Sequence, residues 1–312
     1  MDLRPLTMVD RVPWARLLAT CFDREPDQME ALLAWFHAGF PLVTMGAWDG
    51  DRLVAQYNCR LLTLQVPGTD EPVLAGMGLN MAVDPAYRGQ GLLDRVAGPV
   101  HEEIAARGCV AGVGFSSAGG LAVTKASRRY AYEVLGPMVS QVVPVARRRY
   151  PAAIGLTDTW PEGPMALAAP AEALVRYVVT PGSIRHRFEE HPFRRYRYGV
   201  RRRDGVIDGL VVYRATRLRG LPGASLLAAY GADRLDLLAA FGAALRSDGI
   251  HLVHVVASPA APLRDDLTAI GPRITIPTSR HPYHLIARAL QPDTPAILFD
   301  LGRWDCAGGD IL

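Results

Sequence analysis

The sequence predicts an α/β fold built on mixed sheets, and three observations carry that prediction. Helix-period and strand-period apolar patterns alternate along the chain. Two pairs of strand patterns are joined by Asp-Gly turns, at Trp48-Asp49-Gly50-Asp51 and at Asp204-Gly205, which are hairpin signals. One apolar run, Leu79-Asn80-Met81-Ala82-Val83, leads through an Arg-Gly-x-Gly loop into a helical pattern.

In chain order, the first half reads as helices over 14–20 and 28–37 and a hairpin of 42–47 with 53–64. A third strand ends at Val83, a helix covers 92–107, and Gly108 stops it. A strand over 109–115, a helix over 125–135 and a strand over 139–145 follow. Leu92, Val96, Val100 and Ile104 form a core-facing stripe on the first of these two helices. Pro99 inside that helix predicts a bend, since proline in an unkinked helix costs about 3 kcal/mol.

Residues 146–164 carry Pro and Gly and read as a linker. The second half repeats the layout: helices over 171–179 and 184–190, a hairpin of 195–202 with 207–215, and a strand over 225–230. A helix over 235–246, with Leu235, Leu238, Gly242 and Leu245 on one face, a strand over 250–257, a helix over 262–270 and a strand over 296–300 complete it. The expected division is 1–146, a linker over 147–164, and a second unit over 165–312.

Composition narrows the class. The chain is 49% hydrophobic and 21% charged, in the range of globular proteins. No apolar run is long enough to span a membrane, and the first residues lack a signal-peptide layout. The four cysteines are widely spaced without a CxxC pair, so no zinc site or disulfide framework is expected, and the cytoplasm fits. No metal is expected: His251 and His254 fall on opposite faces of a strand, and His281 and His284 read as loop residues. Ser116-Ser117-Ala118-Gly119-Gly120 is a loop without the GxSxG elbow of hydrolases.

The strand–loop–helix unit is a candidate diphosphate cradle. Glycines let the backbone approach an anion, and the helix start adds unpaired N–H groups and the positive end of the dipole. Arg88 adds a fixed charge. Neither GxGxxG nor GxxxxGK[ST] is present, which excludes the dinucleotide and P-loop patterns.

The segment Val83-Asp84-Pro85-Ala86-Tyr87-Arg88-Gly89-Gln90-Gly91-Leu92-Leu93 resembles the coenzyme A loop of the GNAT family of N-acetyltransferases. Leu93 stands where that family has Gly or Ala. Tyr132-Glu133-Val134-Leu135-Gly136 resembles a second family segment, with Pro137 in place of its usual aromatic. The resemblance implies acetyl-CoA as co-substrate and acyl transfer to the primary amine of a small molecule, by direct attack with both bound. It implies that Met81, Ala82 and Val83 pair with the pantetheine arm and that amides of Arg88, Gly89, Gln90, Gly91, Leu92 and Leu93 hold the diphosphate. Tyr132 would protonate the leaving thiolate, with Tyr130 as the alternative; a packing role for Tyr132 stays open. Asp23, Glu25 and the terminal carboxylate of Leu312 are candidate bases, and Tyr57 and Asn80 candidate acceptor contacts.

The two halves together resemble tandem GNAT chains of the enhanced-intracellular-survival type without their sterol-carrier-like domain. The second unit is degenerate: Gly231-Ala232-Asp233-Arg234 stands where a coenzyme loop would be. Two other functions remain open. Arg194, Arg195, Arg197, Arg201, Arg202 and Arg203, interleaved with Tyr196 and Tyr198, would suit RNA and hence an aminoacyl-tRNA donor. A non-catalytic coenzyme- or partner-binding module is the second.

Overall fold

The computed structural model of the protein describes residues 1–117, 130–147, 150, 154–167, 173–276 and 283–310. These form two mixed sheets flanked by six α-helices. The first sheet contains β1 (Asp2–Arg4), β2 (Leu42–Asp49), β3 (Arg52–Gln65), β4 (Val73–Val83), β5 (Ala111–Ser117), β15 (Tyr283–Ala289) and β6 (Glu133–Pro137), in that spatial order; β9 (Arg176–Tyr177) pairs with β3. The second runs β14 (Ile274–Ile276), β7 (Val139–Pro144), β13 (Leu252–Ala257), β12 (Leu221–Gly231), β11 (Val206–Leu218), β10 (Arg197–Arg203), β8 (Gly155–Thr157). The helices are α1 (Arg11–Phe22), α2 (Pro26–Gly39), α3 (Leu92–Ala106), α4 (Pro181–Phe188), α5 (Arg234–Ser247) and α6 (Pro262–Asp266).

The internal repeat is visible in the pairing. β2-β3-β4-α3-β5 is matched by β10-β11-β12-α5-β13. In each unit the crossover helix returns the chain parallel to the strand it left, β5 beside β4 and β13 beside β12. Sheet membership then crosses the boundary expected near residue 146 in both directions. β7 pairs with β13, and the neighbour of β5 is β15 from the far end of the chain.

Period-two alternation sorts the first sheet's faces. Tyr57 and Cys59 of β3 face α3 and pack with Val96, Val100 and Ile104. Gly76, Gly78 and Gly112 make room on that face. An added Cβ would lie 2.6 Å from Ile104 at Gly76, 2.4 Å from the Tyr57 hydroxyl at Gly78, and 2.7 Å from the Tyr132 hydroxyl at Gly112. Leu62, Met77, Leu79 and Val113 face the other way, onto α2. Helix α3 is continuous through Pro99.

Several expected elements differ. The helix expected over 125–135 does not include its last residues: Glu133–Pro137 is β6, held by β15; residues 125–129 lie outside the described residues. Of the helix expected over 171–179, residues 171–172 lie outside the described residues, and the remainder holds the short strand β9, with Val175 bridged to Trp304. Residues 296–299 form a 3₁₀ turn rather than a strand. His284 belongs to β15, not to a loop, while His281 lies outside the described residues. The stretch expected as a linker supplies β8. On α5 the buried stripe is Leu237, Leu238, Phe241 and Leu245, leaving Leu235 55% exposed. Where a strand replaces the expected element, at β6, β8, β9 and β15, a partner strand distant in sequence overrides local pattern.

Candidate active site

The loop after β4 is rigidly built. Asp84 is buried, accepts the Ala86 N–H at 3.0 Å, and pairs with Arg52 at 2.6 Å. Pro85 starts a 3₁₀ turn, and the Tyr87 hydroxyl donates to Asp49 Oδ2 at 2.7 Å. The chain then turns through Gly89 at φ +82° and Gly91 at φ +71°, conformations that disfavour a side chain, and an added Cβ at either would meet only open space. Gly91 caps α3 without a side chain, and its carbonyl takes the N–H groups of Asp94 and Arg95. The amides of Gly89, Gln90, Gly91, Leu92 and Leu93 donate to no acceptor among the described residues. Five orphan donors at a helix start, with Arg88 beside them, fit a diphosphate. Arg88 Nε donates to the Val83 carbonyl at 3.3 Å, holding the charge near the strand end. Leu93 packs against the core under α3 and does not crowd the cradle.

Upstream of the loop, β4 and β5 part company. They pair only over Ala75–Met77 with Ala111–Val113. From Gly78 onward β4 has no partner among the described residues on its β5 side, and its backbone groups there face a gap. Asn80 sits in the gap at φ +43°, in a bulge opposite β3. Gln56, buried on β3, donates to the Asn80 carbonyl. Met81 is exposed, Ala82 buried, and Val83 half-buried.

Two tyrosines approach this gap from the α3 side. The Tyr57 hydroxyl lies against Gly78, the first unpaired residue of β4, and the Tyr132 hydroxyl against Gly112 of β5. The two phenols lie close enough that each acts on the other's proton. Burial raises both pKa values, that of Tyr132 further through Cys59, so both stay protonated. His101 stands 3.4 Å from the Tyr132 oxygen through Nε2, and Arg288 Nη1 lies 3.0 Å from its Nδ1. A guanidinium only donates, so Nδ1 accepts and the imidazole proton sits on Nε2, facing Tyr132. Tyr130 bonds instead to Asp94.

On the opposite face of the sheet a cavity of about 350 Å³ opens between the two units. Gly78, Leu79 and Asn80 form its floor, Trp35 and Phe36 of α2 and Phe115 of β5 its apolar wall, and residues of the second unit its far side. Asn80 is therefore the predicted acceptor contact that lies there; Tyr57 lies on the α3 face with Tyr132.

Residues 2–134 match the model of the acetyltransferase (GNAT) domain. That stretch is a GNAT acetyltransferase domain. The fold is also similar to a GCN5-related N-acetyltransferase from Anabaena variabilis, with a TM-score of 0.67 at 11% identity over 93% of this chain and 73% of that one. Eis1 from Mycobacterium abscessus gives 0.61 at 17% identity over 93% and 74%. A GCN5-related N-acetyltransferase from Kribbella flavida gives 0.62 at 16% identity over 92% and 71%. No curated protein matches the sequence.

The second GNAT-like unit has the same parting of strands and fills it. β12 pairs with β13 only over Gly223–Leu226. Into the gap beyond comes the chain's own 305–310 segment: Ala307 bridges Ala257, Cys306 O accepts the Ser258 N–H at 2.8 Å, and Gly309 N–H donates to Leu227 O at 2.9 Å. Gly231-Ala232-Asp233-Arg234 supplies no cradle; Asp233 pairs with Arg203, and Arg234 with Asp266.

That segment brings a carboxylate the sequence reading missed. Gly308 and Gly309 line the cavity, and Asp310 follows them. Burial raises its pKa to about 6 against the opposing pull of Arg187, and its carboxylate accepts the Ala307 N–H at 2.7 Å. The Gly-Gly pair is the one sequence signal of this close approach. Asp23, at φ +53° after α1, and Glu25, before α2, are exposed and outside the cavity lining. Leu312 lies outside the described residues.

The arginine run is largely occupied within the fold. Arg197 pairs with Asp158 and Asp248, Arg201 and Arg203 with Asp208, and Arg202 donates to the Glu162 and Gly205 carbonyls. That leaves Arg194 and Arg195, and Arg194 lines the cavity. Among the described residues no group of three metal-ligating side chains converges, and no helix is long and apolar enough to cross a membrane.

Proposed function

We propose that this protein transfers an acetyl group from acetyl-CoA to the primary amine of a small molecule, with both bound at once. The observation that carries this reading is continuity. Five orphan amides, an unpaired stretch of β4 and a cavity with an apolar wall follow one another along one strand. Acetyl-CoA supplies a thioester with an electrophilic acyl carbon and a thiol as leaving group. The amides from Gly89 to Leu93 and Arg88 hold the diphosphate, and β4 from Gly78 to Val83 aligns the pantetheine arm in the gap.

Asp310 takes the proton released as the amine attacks; its pKa of about 6 leaves it largely ionised at neutral pH. Tyr132, protonated and against β5 where the strands part, donates its proton to the departing sulfur. Tyr57 and His101 hold that hydroxyl in place. The C–S bond breaks as the C–N bond forms, giving an amide and free thiol.

The test is thiol release from acetyl-CoA across a panel of amines, with the N-acetyl product identified by mass spectrometry. The reading expects amide formation that depends on Tyr132 and Asp310. Tight acetyl-CoA binding with no amide from any amine would instead mark a coenzyme-binding module.

A further inference from the structure

The cavity wall carries a charge pattern that constrains the acceptor. Arg187 of α4, Arg194 after it, and Arg214 of β11 line the cavity, and among the described lining residues there is no Asp or Glu; Asp310 follows the lining pair Gly308-Gly309. None of the three forms an ion pair among the described residues. A fourth, Arg60, sits opposite Met77 on the same face of the sheet, 8% exposed, with Nε and Nη1 lacking partners. Its neighbour Phe40 offers only a ring face, 4.4 Å from the guanidinium carbon. Burial and the repulsion of Arg187 bring Arg60 down to about 10. His191, also lining the cavity, is held to about 4 by burial and then by Arg194 and Arg187. Asp310 is the one carboxylate among the charges acting on both Arg187 and Arg60, against several cations.

Guanidinium groups that converge in excess of their one nearby carboxylate form an incomplete arrangement, and a bidentate anion completes it. We propose that the acceptor is a small amine that also carries an anionic group, held by Arg187, Arg194 and Arg214. Its apolar body lies against Trp35, Phe36 and Phe115, and its amine points toward Gly78 and Asn80 where the strands part. The same field disfavours a polycationic acceptor. The anion is a carboxylate or a phosphate; both match the guanidinium fork. This inference rests on the N-acyltransferase reading for the role of the amine, but not for its binding.

Calorimetry separates the two claims. Phenylalanine is titrated against phenethylamine, phosphoethanolamine against ethanolamine, and spermidine alone, each into protein saturated with acetyl-CoA and into free protein. The anionic member of at least one pair binds tenfold or more tightly than its neutral-bodied counterpart, and the Arg194→Gln/Arg214→Gln double variant removes that difference. Both side chains are exposed and without ion pairs, so the double variant keeps the fold. Arg187→Gln weakens the same binding and Arg187→Lys restores part of it. Equal binding within both pairs, a preference for spermidine, no binding of either anionic amine, or a preference that survives the double variant would overturn the proposal. Anion-dependent binding without N-acetyl product would leave it standing and defeat the transfer reading instead.

Discussion

Arg52 Nη2 stands 2.6 Å from Asp84 Oδ2, an ion pair that ties the β2–β3 hairpin to the first residue of the loop after β4. Asp84 is buried, while Arg52 is largely exposed. Removing the carboxylate loses both the pair and the cap on the Ala86 N–H. We expect Asp84→Ala to destabilise by about 1–2 kcal/mol. It should also weaken acetyl-CoA binding, although Asp84 is no ligand, because the cradle loses its anchor. Denaturant unfolding and a coenzyme titration on the same variant check both; unchanged coenzyme affinity would show that the loop holds its shape without the pair.

Tyr132→Phe tests Tyr132 as the proposed proton donor. The ring still packs against His101, so folding and coenzyme affinity should be kept. Turnover should fall about 100-fold, the scale of one lost general acid. Equal turnover in this variant would leave Tyr132 with a packing role.

As the proposed base, Asp310 would set an acid limit on turnover. With its pKa at about 6, kcat/KM should fall as pH drops below that value, and Asp310→Asn should lose activity at every pH. Stability should move the other way. The folded carboxyl binds its proton more tightly than the unfolded one, so its contribution declines as pH rises from about 4 to about 6. Melting temperatures at pH 4.5 and 7.5 should therefore show Asp310→Asn gaining more at 7.5.

His101 has the opposite sign. Burial, then Arg288, lowers its pKa to about 4, so the folded state keeps the ring neutral. Its contribution is complete above the unfolded value of 6.5 and is lost as pH falls toward 4, up to about 3 kcal/mol. His101→Gln should flatten this part of the acid-unfolding profile, read as stability against pH from 7 to 4. An unchanged slope would place the loss on other groups, of which His191 is the next in line.

The legible part of this molecule was local. Asp84-Pro85 and the two glycines each do nearby work: a cap, a 3₁₀ start, two positive φ angles. A sequence window contains that, but not the tie of Tyr87 to Asp49 in the hairpin. The repeat of hairpin, strand, helix and strand was equally visible, since each step is short-range. The exchange of β7 and β15 was not, because β15 pairs with strands more than a hundred residues away. For the same reason the cavity escaped notice. Arg187 and Arg214 belong to the second unit, yet they face a floor of Gly78 and Asn80 from the first. Asp310 becomes part of the site only because the 305–310 segment fills the gap beside β12.

The loop from Arg88 to Leu93 is the proposed coenzyme A cradle, and everything downstream depends on it. Calorimetric titration of the chain with acetyl-CoA, beside Arg88→Glu, decides the matter. Micromolar binding is expected, weakened at least tenfold by Arg88→Glu, since the substitution places a negative charge beside the five orphan amides. Absence of binding, or binding indifferent to that substitution, would contradict it.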